Sequence, residues 1–168
     1  MFCFGSFGRR ASLSLAAALA VFALVPSAQS QSMADRPGWR VIDSTKPFDA
    51  VVDAVKAATK ANKMGVVTEA GPTAAALALG VTVPGNRVIG VFNPRYAIRI
   101  LPLSTAAMIE APIRFYVTED VDGSATLSWK TPSFVFSPYA DQGGAELAAI
   151  AAELDGVFEA IGTAATAP

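Results

Sequence analysis

The stretch that decides the fold runs from Ala111 to Lys130 and reads APIRFYVTEDVDGSATLSWK. Its first half alternates apolar with polar side chains, which is the period of a half-buried strand: Ile113, Phe115 and Val117 alternate with Arg114, Tyr116 and Thr118. The Asp122-Gly123 pair then predicts a turn, after which a second strand returns. A hairpin of this kind requires antiparallel pairing, so the sequence excludes a wholly parallel sheet.

The chain before the hairpin begins with a predicted strand and a predicted helix. The strand covers residues 38–43, and an amphipathic helix follows within residues 44–63. Ser44 and Thr45 are candidate caps of this helix, and Pro47 is expected in its first turn, where a missing amide proton costs nothing.

Between that helix and the hairpin, two further strands and a weak helix are predicted. A short strand is introduced by Gly65, and a weak helix runs from Gly71 to Gly80. A Pro-Gly turn is expected at Val83–Arg87. The segment Arg87–Phe92 is apolar and β-branched on both faces, which favours a central strand.

The chain after the hairpin predicts a loop, a helix and a tail. Residues 131–144 are rich in Pro, Ser and aromatics and predict an irregular loop over the sheet. A helix from about Ala145 to Ile161 closes the domain, and residues 162–168 are predicted to fray. Strands and helices that mix without strict alternation predict the α+β class, with helices on one face of an antiparallel-containing sheet. The single domain spans residues 41–161 and follows an extension over residues 31–40.

The N-terminus has the pattern of a secretory signal peptide over residues 1–30. Arg9 and Arg10 precede an uncharged run from Ala11 to Val25, and small residues up to Ser30 offer a cleavage site. The run is shorter than the roughly 20 residues of a membrane-spanning helix, which makes an uncleaved anchor the weaker interpretation. The pattern predicts a periplasmic or secreted protein with no membrane span after cleavage, and it leaves the general and twin-arginine export routes open.

The composition of the chain excludes several kinds of catalytic and metal site. The chain has no His, and its one cysteine, Cys3, falls within the signal segment. Disulfides, His or Cys nucleophiles, and zinc sites built on imidazole or thiolate are therefore excluded from the mature domain, and we expect no metal and no cofactor. The formal charge of −1 becomes −3 once Arg9 and Arg10 are removed, with both signs interspersed. Nucleic acid is therefore not an expected partner.

Several features occur in a characteristic order: a helix that opens Pro-Phe-Asp, a Gly-Val-Val-Thr strand, GVFNPRYAIRIL at residues 90–101, the EDVDG hairpin and WKTPS. Together they resemble the family called domain of unknown function 302, over roughly Val41 to Ile161. The most specific piece is Asn93-Pro94 with Ala97 in the following helix. The resemblance implies a compact α+β fold with a tendency to form dimers, and the family's name states no activity. Ala111-Pro112 stands where family members often carry Leu-Pro, a difference that concerns packing.

The Asn93-Pro94 pair follows a predicted strand and opens a helix that carries Arg95 and Arg99 on one face. An Asn side chain accepts hydrogen bonds from the free amides of the first helical turn, and Pro has the backbone φ angle that the first helical residue requires. The pair is therefore expected to cap the helix whether or not a ligand binds there. A helix N-terminus beside two guanidinium groups is also a candidate anion site. The sequence leaves both interpretations open, and it does not decide whether Arg114 joins the two arginines or pairs with Glu110.

Aromatic residues concentrate after the hairpin, at Trp129, Phe134, Phe136 and Tyr139. Capping of the core is the default interpretation. The sharper hypothesis is an apolar cleft between this segment and the helix that carries Tyr96, with nearby cations holding an anionic end of the ligand. The candidate ligand-binding residues are Asn93, Arg95, Tyr96, Arg99, Arg114, Trp129, Lys130 and Tyr139.

The acidic residues support only weaker hypotheses. Glu119, Asp120 and Asp122 superficially suggest a calcium loop, but the later ligands of that pattern are missing, and a solvated turn is preferred. Glu110 and Glu119 are formally an acid and base pair for a hydrolase, yet their spacing does not distinguish them from surface charge. We assign no catalytic residue. The leading expectation is an exported non-enzymatic module for a small anionic or amphiphilic ligand, and the alternative is a homodimeric structural or protein-interaction domain.

Overall fold

The computed structural model of the protein describes Met1 and residues 33–168. The predicted signal peptide and the start of the extension lie outside the described residues, Met1 excepted. Within them, no helix combines the length and apolarity needed to cross a bilayer. In chain order the elements are β1 (Trp39–Pro47), α1 (Phe48–Ala61), β2 (Gly65–Ala70), α2 (Thr73–Ala78), β3 (Asn86–Phe92), α3 (Pro94–Ile100), a 3-10 turn (Ala106–Glu110), β4 (Ile113–Glu119), β5 (Ser124–Lys130), α4 (Pro132–Phe136), a 3-10 turn (Ser137–Tyr139) and α5 (Ala140–Thr166).

The strands form one five-stranded antiparallel sheet in the order β1-β5-β4-β3-β2. The predicted hairpin is β4 and β5, and it turns at Gly123, whose positive φ of 84° is accessible to glycine at no steric cost. β3 lies between β2 and β4, as its apolar character on both faces predicts. The α+β class with helices on one face is confirmed.

The core lies between the sheet and the two long helices. Side chains at alternate positions of β4 and β5 point to this face, and Phe115 and Trp129 are both buried there. The Phe115 ring meets Trp129 edge-on at a centroid distance of 5.2 Å and stacks on Phe158 of α5 at 4.8 Å. Burial of each such side chain contributes about 1.5–3 kcal/mol, so this cluster fixes α5 against the sheet.

The start of α1 differs from the sequence-based prediction. β1 continues through Pro47, and Ser44 pairs with Ala125 of β5 instead of capping the helix. α1 begins at Phe48 with no side-chain cap. The pairing of β1 with β5 extends the strand over the predicted capping residues, and such pairing is not visible in the local sequence.

The segment predicted as a loop, residues 131–144, is helical. Thr131 caps α4, since its hydroxyl accepts a hydrogen bond from the Phe134 amide at 3.3 Å, and Pro132 occupies the first turn. Burial of Phe136 fixes this short helix on the core. α5 then begins at Ala140 instead of Ala145, so the loop prediction was wrong.

The closing helix and the approach to β3 also differ from expectation. α5 has one non-helical residue, Gly144, with φ 52° and ψ −147°, and it continues through Thr166. The frayed tail predicted for residues 162–168 is therefore mostly helical, because Ala165 is buried in the core. No turn forms at Val83–Arg87, since β3 already begins at Asn86.

Candidate functional site

The face of the sheet opposite the two long helices carries three cross-strand rows of side chains. We call the first the cationic row because it contains two basic side chains; it consists of Trp39, Lys130, Arg114, Gly90 and Thr68. The middle row consists of Val41, Ser128, Tyr116, Val88 and Ala70. The acidic row consists of Asp43, Thr126, Thr118 and Asn86. The face is therefore polarised, with basic groups at one end and a carboxylate at the other.

A groove of about 510 Å³ opens at the cationic end of this face. Two aromatic side chains line it, from Trp39 and Tyr116, together with the charged groups of Arg114 and Lys130. Its volume lies within the range of roughly 300–1,000 Å³ that is usual for small-molecule sites. The groove thus combines apolar walls with a small number of charged groups.

Arg114 and Lys130 belong to adjacent strands of the same face. Phe115 pairs with Trp129, and the same register continued by one residue sets Arg114 opposite Lys130. Neither side chain has a carboxylate partner among the described residues. Two like charges opposite each other across a ladder are mutually destabilising, so this end of the groove favours an anion.

Several other arginines of the described chain are paired with carboxylates. Arg40 bonds Glu159 through a closest contact of 2.7 Å, and Arg87 bonds Glu69. Arg114 differs from both in having no carboxylate partner among the described residues.

Two cation–aromatic contacts lie at the cationic end of the face. The Lys130 ammonium lies 5.7 Å from the centre of the Trp39 ring, and the Arg36 guanidinium lies 5.3 Å from the same centre. Such contacts hold a cation in place without neutralising it. The positive charge therefore remains available to a ligand.

Polar groups on the groove walls are held by hydrogen bonds. The Asn86 amide donates to the Tyr116 hydroxyl. Glu110 accepts a hydrogen bond from the Tyr139 hydroxyl at 2.8 Å, and this bond, with burial second, raises the pKa of Tyr139 above its ordinary value. Tyr139 thereby positions a carboxylate at the wall, although Tyr139 itself does not line the groove.

The side chains at the acidic end of the face, beside the turn between β4 and β5, are joined by hydrogen bonds. The Thr126 hydroxyl lies 3.2 Å from an Asp43 oxygen and 2.9 Å from an Asp120 oxygen. Asp122 accepts hydrogen bonds from the hydroxyl and the amide of Ser124, and these bonds lower the pKa of Asp122. Within the described residues, no group of three or more acidic side chains has the geometry to hold a metal ion.

The Asn93-Pro94 junction is a helix cap, as its sequence predicts. The Asn93 side-chain oxygen accepts from the Arg95 amide at 2.9 Å, and its side-chain nitrogen donates to the Lys63 carbonyl at 2.9 Å. The second bond ties the start of α3 to the chain that follows α1. Asn93 therefore joins two parts of the fold in addition to capping α3.

The two arginines of α3 do not converge on the groove. Arg99 makes a bidentate pair with Glu153 of α5, with distances of 2.7 and 2.8 Å, and lies 5.7 Å from the centre of the Tyr96 ring. Its hydrogen bonds lower the pKa of Glu153. Arg95 is exposed and has no carboxylate partner in the described part of the chain.

The structure divides the predicted ligand residues into separate places. Arg114 and Lys130 line the groove, and Trp129 borders it only through the strand, because its ring is buried in the core. Asn93 and Tyr96 line a small apolar cavity of about 30 Å³ beneath α3. The remaining three, Arg95, Arg99 and Tyr139, line neither cavity.

Sequence reasoning missed most groove residues, among them three polar or aromatic ones, Trp39, Asn86 and Tyr116. Their common signal is alternation along strands, because each occupies the position that points away from the core.

Comparisons with known proteins agree with this architecture. A family model described as "Domain of unknown function DUF302" matches residues 40–161. Among solved structures, the chain is similar to the crystal structure of uncharacterized conserved protein DUF302 from Bacillus stearothermophilus. The TM-score is 0.65 at 17% sequence identity, and the match covers 75% of this chain and 96% of that chain. At this identity the likeness concerns the fold alone. No curated protein matches the chain.

Proposed function

This chain belongs to the family described as Domain of unknown function DUF302, and on that premise we propose that it is an exported, non-enzymatic module that binds a small anionic amphiphile. The family description names no activity, so the proposal depends on the groove of the helix-free face. Export is proposed from the signal-peptide pattern of residues 1–30.

The single observation that carries the proposal is the unpaired charge of Arg114 and Lys130 beside aromatic walls. Both cations lie at the rim of a groove of about 510 Å³, and neither has a carboxylate partner among the described residues. An anionic headgroup between them relieves their mutual repulsion and gains charge-assisted hydrogen bonds.

The walls of the groove suit an apolar portion of the ligand. Trp39, Tyr116 and Val88 lie on the same face as the cations, and Val135 of α4 lies at the edge of the groove. Apolar and aromatic walls with few charged groups are typical of small-molecule sites. The combination favours an amphiphile over a small inorganic anion.

The carboxylate of Glu110 limits which headgroups fit. It lines the groove and is held by Tyr139, so it repels an anion placed beside it. A headgroup that occupies the Arg114 and Lys130 end avoids this repulsion. A ligand hydroxyl or amine is the group expected near Glu110.

The experiment uses the protein's own fluorescence. The chain has two tryptophans: Trp39 presents its ring on the groove side of the sheet, and Trp129 is buried in the core on the other side. Titration with octyl sulfate below its micelle concentration is expected to change the tryptophan emission, whereas octyltrimethylammonium is expected to leave it unchanged.

Charge reversal at Arg114 supplies the test of the site. We expect Arg114→Glu to weaken octyl sulfate binding by about tenfold or more, since one charge-assisted hydrogen bond contributes roughly 1.5–3 kcal/mol. Arg95→Glu is the matched control, because Arg95 is exposed, unpaired and outside the groove. Equal binding of the two variants, or equal affinity for the cationic amphiphile, counts against the proposal.

A second candidate function is a homodimeric protein-interaction domain. One observation favours it: the edge of the sheet at β2 exposes apolar side chains away from the groove.

A further inference from the structure

The outer side of α3 combines exposed apolar side chains with cations. We call this patch the α3 surface; it consists of Lys60, Lys63, Arg95, Ile98, Leu101 and Ile109. Ile98 is 71% exposed, Leu101 50% and Ile109 80%. The 3-10 turn that contains Ile109 packs against α3. Exposed apolar side chains that lie together mark an interaction surface.

The packing of α3 determines which of its side chains face solvent. Ala97 and Ile100 line the small cavity beneath the helix, and Ile100 is buried. Arg95 and Ile98 are exposed and stand three residues apart, so they are neighbours on the side of the helix that faces away from the cavity. A cation and an apolar group are therefore presented together.

The cations of the α3 surface lie where the end of α1 meets the start of α3. The Asn93 side-chain amide donates to the Lys63 carbonyl at 2.9 Å, which places the last residues of α1 beside the first turn of α3. Lys60, Lys63 and Arg95 form no ion pair with a carboxylate among the described residues. Their charges therefore remain available to an anionic partner.

The carboxylates near the α3 surface do not cancel this positive charge. Glu153 pairs with Arg99, and Glu146 interacts with the same guanidinium. Glu110 lines the groove. The sequence has no Asp or Glu over residues 70–109. The three unpaired cations therefore leave the α3 surface with a net positive charge.

Other exposed apolar side chains have different surroundings. Val121 is 87% exposed and lies between Asp120 and Asp122 in the sequence. Leu79 is 82% exposed and belongs to residues 70–86, a stretch without any charged residue. Neither stretch supplies a cation, so these two sites are suitable references for the α3 surface.

We infer that the α3 surface docks on an anionic lipid bilayer. Ile98, Leu101 and Ile109 enter the boundary between headgroups and acyl chains, where burial of apolar area favours binding. The long side chains of Lys63 and Arg95 keep their charges at the level of the lipid phosphates. A bilayer offers an apolar layer directly beneath a layer of phosphates, which matches apolar side chains bordered by cations. A soluble anion offers only the charge.

Bilayer docking is independent of the proposed ligand of the groove. No residue of the α3 surface lines the groove. Arg95→Glu is therefore expected to weaken bilayer binding and to leave octyl sulfate binding unchanged, and Arg114→Glu is expected to do the reverse. The two variants distinguish failure of one proposal from failure of the other.

The first test measures co-sedimentation of the protein with lipid vesicles. It uses residues 31–168, which contain every strand and helix of the described chain, because the apolar run of residues 11–25 would itself bind lipid. Wild-type protein is expected to bind vesicles of phosphatidylglycerol and phosphatidylcholine in about equal amounts, and not phosphatidylcholine alone. Lys63→Glu/Arg95→Glu is expected to lower the partition coefficient by about tenfold or more. Arg114→Glu/Lys130→Glu is the matched control, since it changes the net charge equally within the groove.

The second test removes apolar groups without changing the charge. Ile98→Ser/Ile109→Ser is expected to lower the partition coefficient by about tenfold or more, because less apolar area enters the bilayer. Leu79→Ser/Val121→Ser is the matched control, since its sites are 82% and 87% exposed and lie outside the α3 surface. This control is expected to bind vesicles as wild type does.

Circular dichroism and the melting temperature report whether each variant folds, and the exposed single change Arg95→Glu serves if a double variant does not. Rising salt concentration is expected to weaken vesicle binding, because salt screens exposed charges. Wild-type protein that binds neither vesicle, or binds both equally, overturns the inference. It is also overturned if the variants of the α3 surface bind vesicles as tightly as their matched controls, which would leave an acidic protein as the partner to be sought.

Discussion

Asn93 shows how one residue stabilises two levels of structure. Its oxygen satisfies an amide at the start of α3, and its nitrogen satisfies the carbonyl of Lys63 in the link between α1 and β2. The capping role follows from the local pair Asn93-Pro94 and was predicted correctly. The bond to Lys63 joins residues thirty positions apart, and no local pattern indicates it.

Removal of this side chain tests both roles. Asn93→Ala is expected to lower the free energy of unfolding by about 1 kcal/mol, within a range of roughly 0.5–2, because the Arg95 amide loses its acceptor. Urea denaturation followed by tryptophan fluorescence measures the change. Asn93→Asp is the control, since it keeps the acceptor and loses only the donor to Lys63. If both variants match wild type, the cap contributes nothing to stability.

At the scale of the elements, α5 is the helix that organises the core. It packs on α1 and the sheet along most of its length, and Gly162 allows the close approach of Trp129. A methyl group at Gly162 would lie 2.4 Å from the Trp129 ring, whereas one at Gly156 of the same helix meets no atom within 4 Å. The two glycines therefore have opposite consequences for substitution.

Alanine substitution at these two glycines compares the energetic cost of overpacking with the gain in helix propensity. Gly162→Ala is expected to destabilise the protein by about 1–3 kcal/mol, since overpacking outweighs the gain of about 1 kcal/mol in propensity. Gly156→Ala is expected to stabilise it by about 0.4–1 kcal/mol. Thermal unfolding monitored by circular dichroism compares the two. A stabilising Gly162→Ala would mean that the contact with Trp129 relaxes freely.

The helical segment over residues 131–144 shows where element prediction failed. Thr131 and Pro132 carry the same capping signal as Asn93 and Pro94, yet the surrounding Pro, Ser and aromatic residues favoured a loop. Burial of Phe136 and the bonds from Ser133 to Asp155 of α5 decide the helical outcome. Short helices depend on such tertiary contacts because their own nucleation is unfavourable.

At the scale of the whole molecule, the absence of histidine sets the pH response. The pKa shifts present among the described residues lead away from neutrality: hydrogen bonds with Arg99 and Arg40 lower the pKa values of Glu153 and Glu159, and the bond with Glu110 raises that of Tyr139. The chain also lacks histidine, the side chain whose ordinary pKa lies nearest to neutral pH.

Stability is accordingly expected to be constant between about pH 6 and pH 8 and to fall in acid. Because the folded-state pKa values of Glu153 and Glu159 are depressed, their contribution is present above the ordinary glutamate value of roughly 4.3 and is lost as pH falls through the lowered values. Both pairs are exposed, so the loss is small.

Melting temperatures across this pH range measure the response, and Arg99→Met is expected to reduce the acid dependence. A slope between pH 6 and pH 8 would contradict the expectation and identify a group whose pKa lies near neutrality.

The sequence by itself determined the hairpin, the two long helices, the α3 cap, the family resemblance and the chemistry excluded by the lack of His. These features depend on alternation, helical spacing and composition, which act over a few residues. Only the tertiary structure decided which cations are free. Arg99 is neutralised by Glu153, fifty-four positions away, whereas Arg114 and Lys130 meet across a strand pair without a carboxylate. Charge neutralisation depends on distances in space, and these are set by strand register and helix packing.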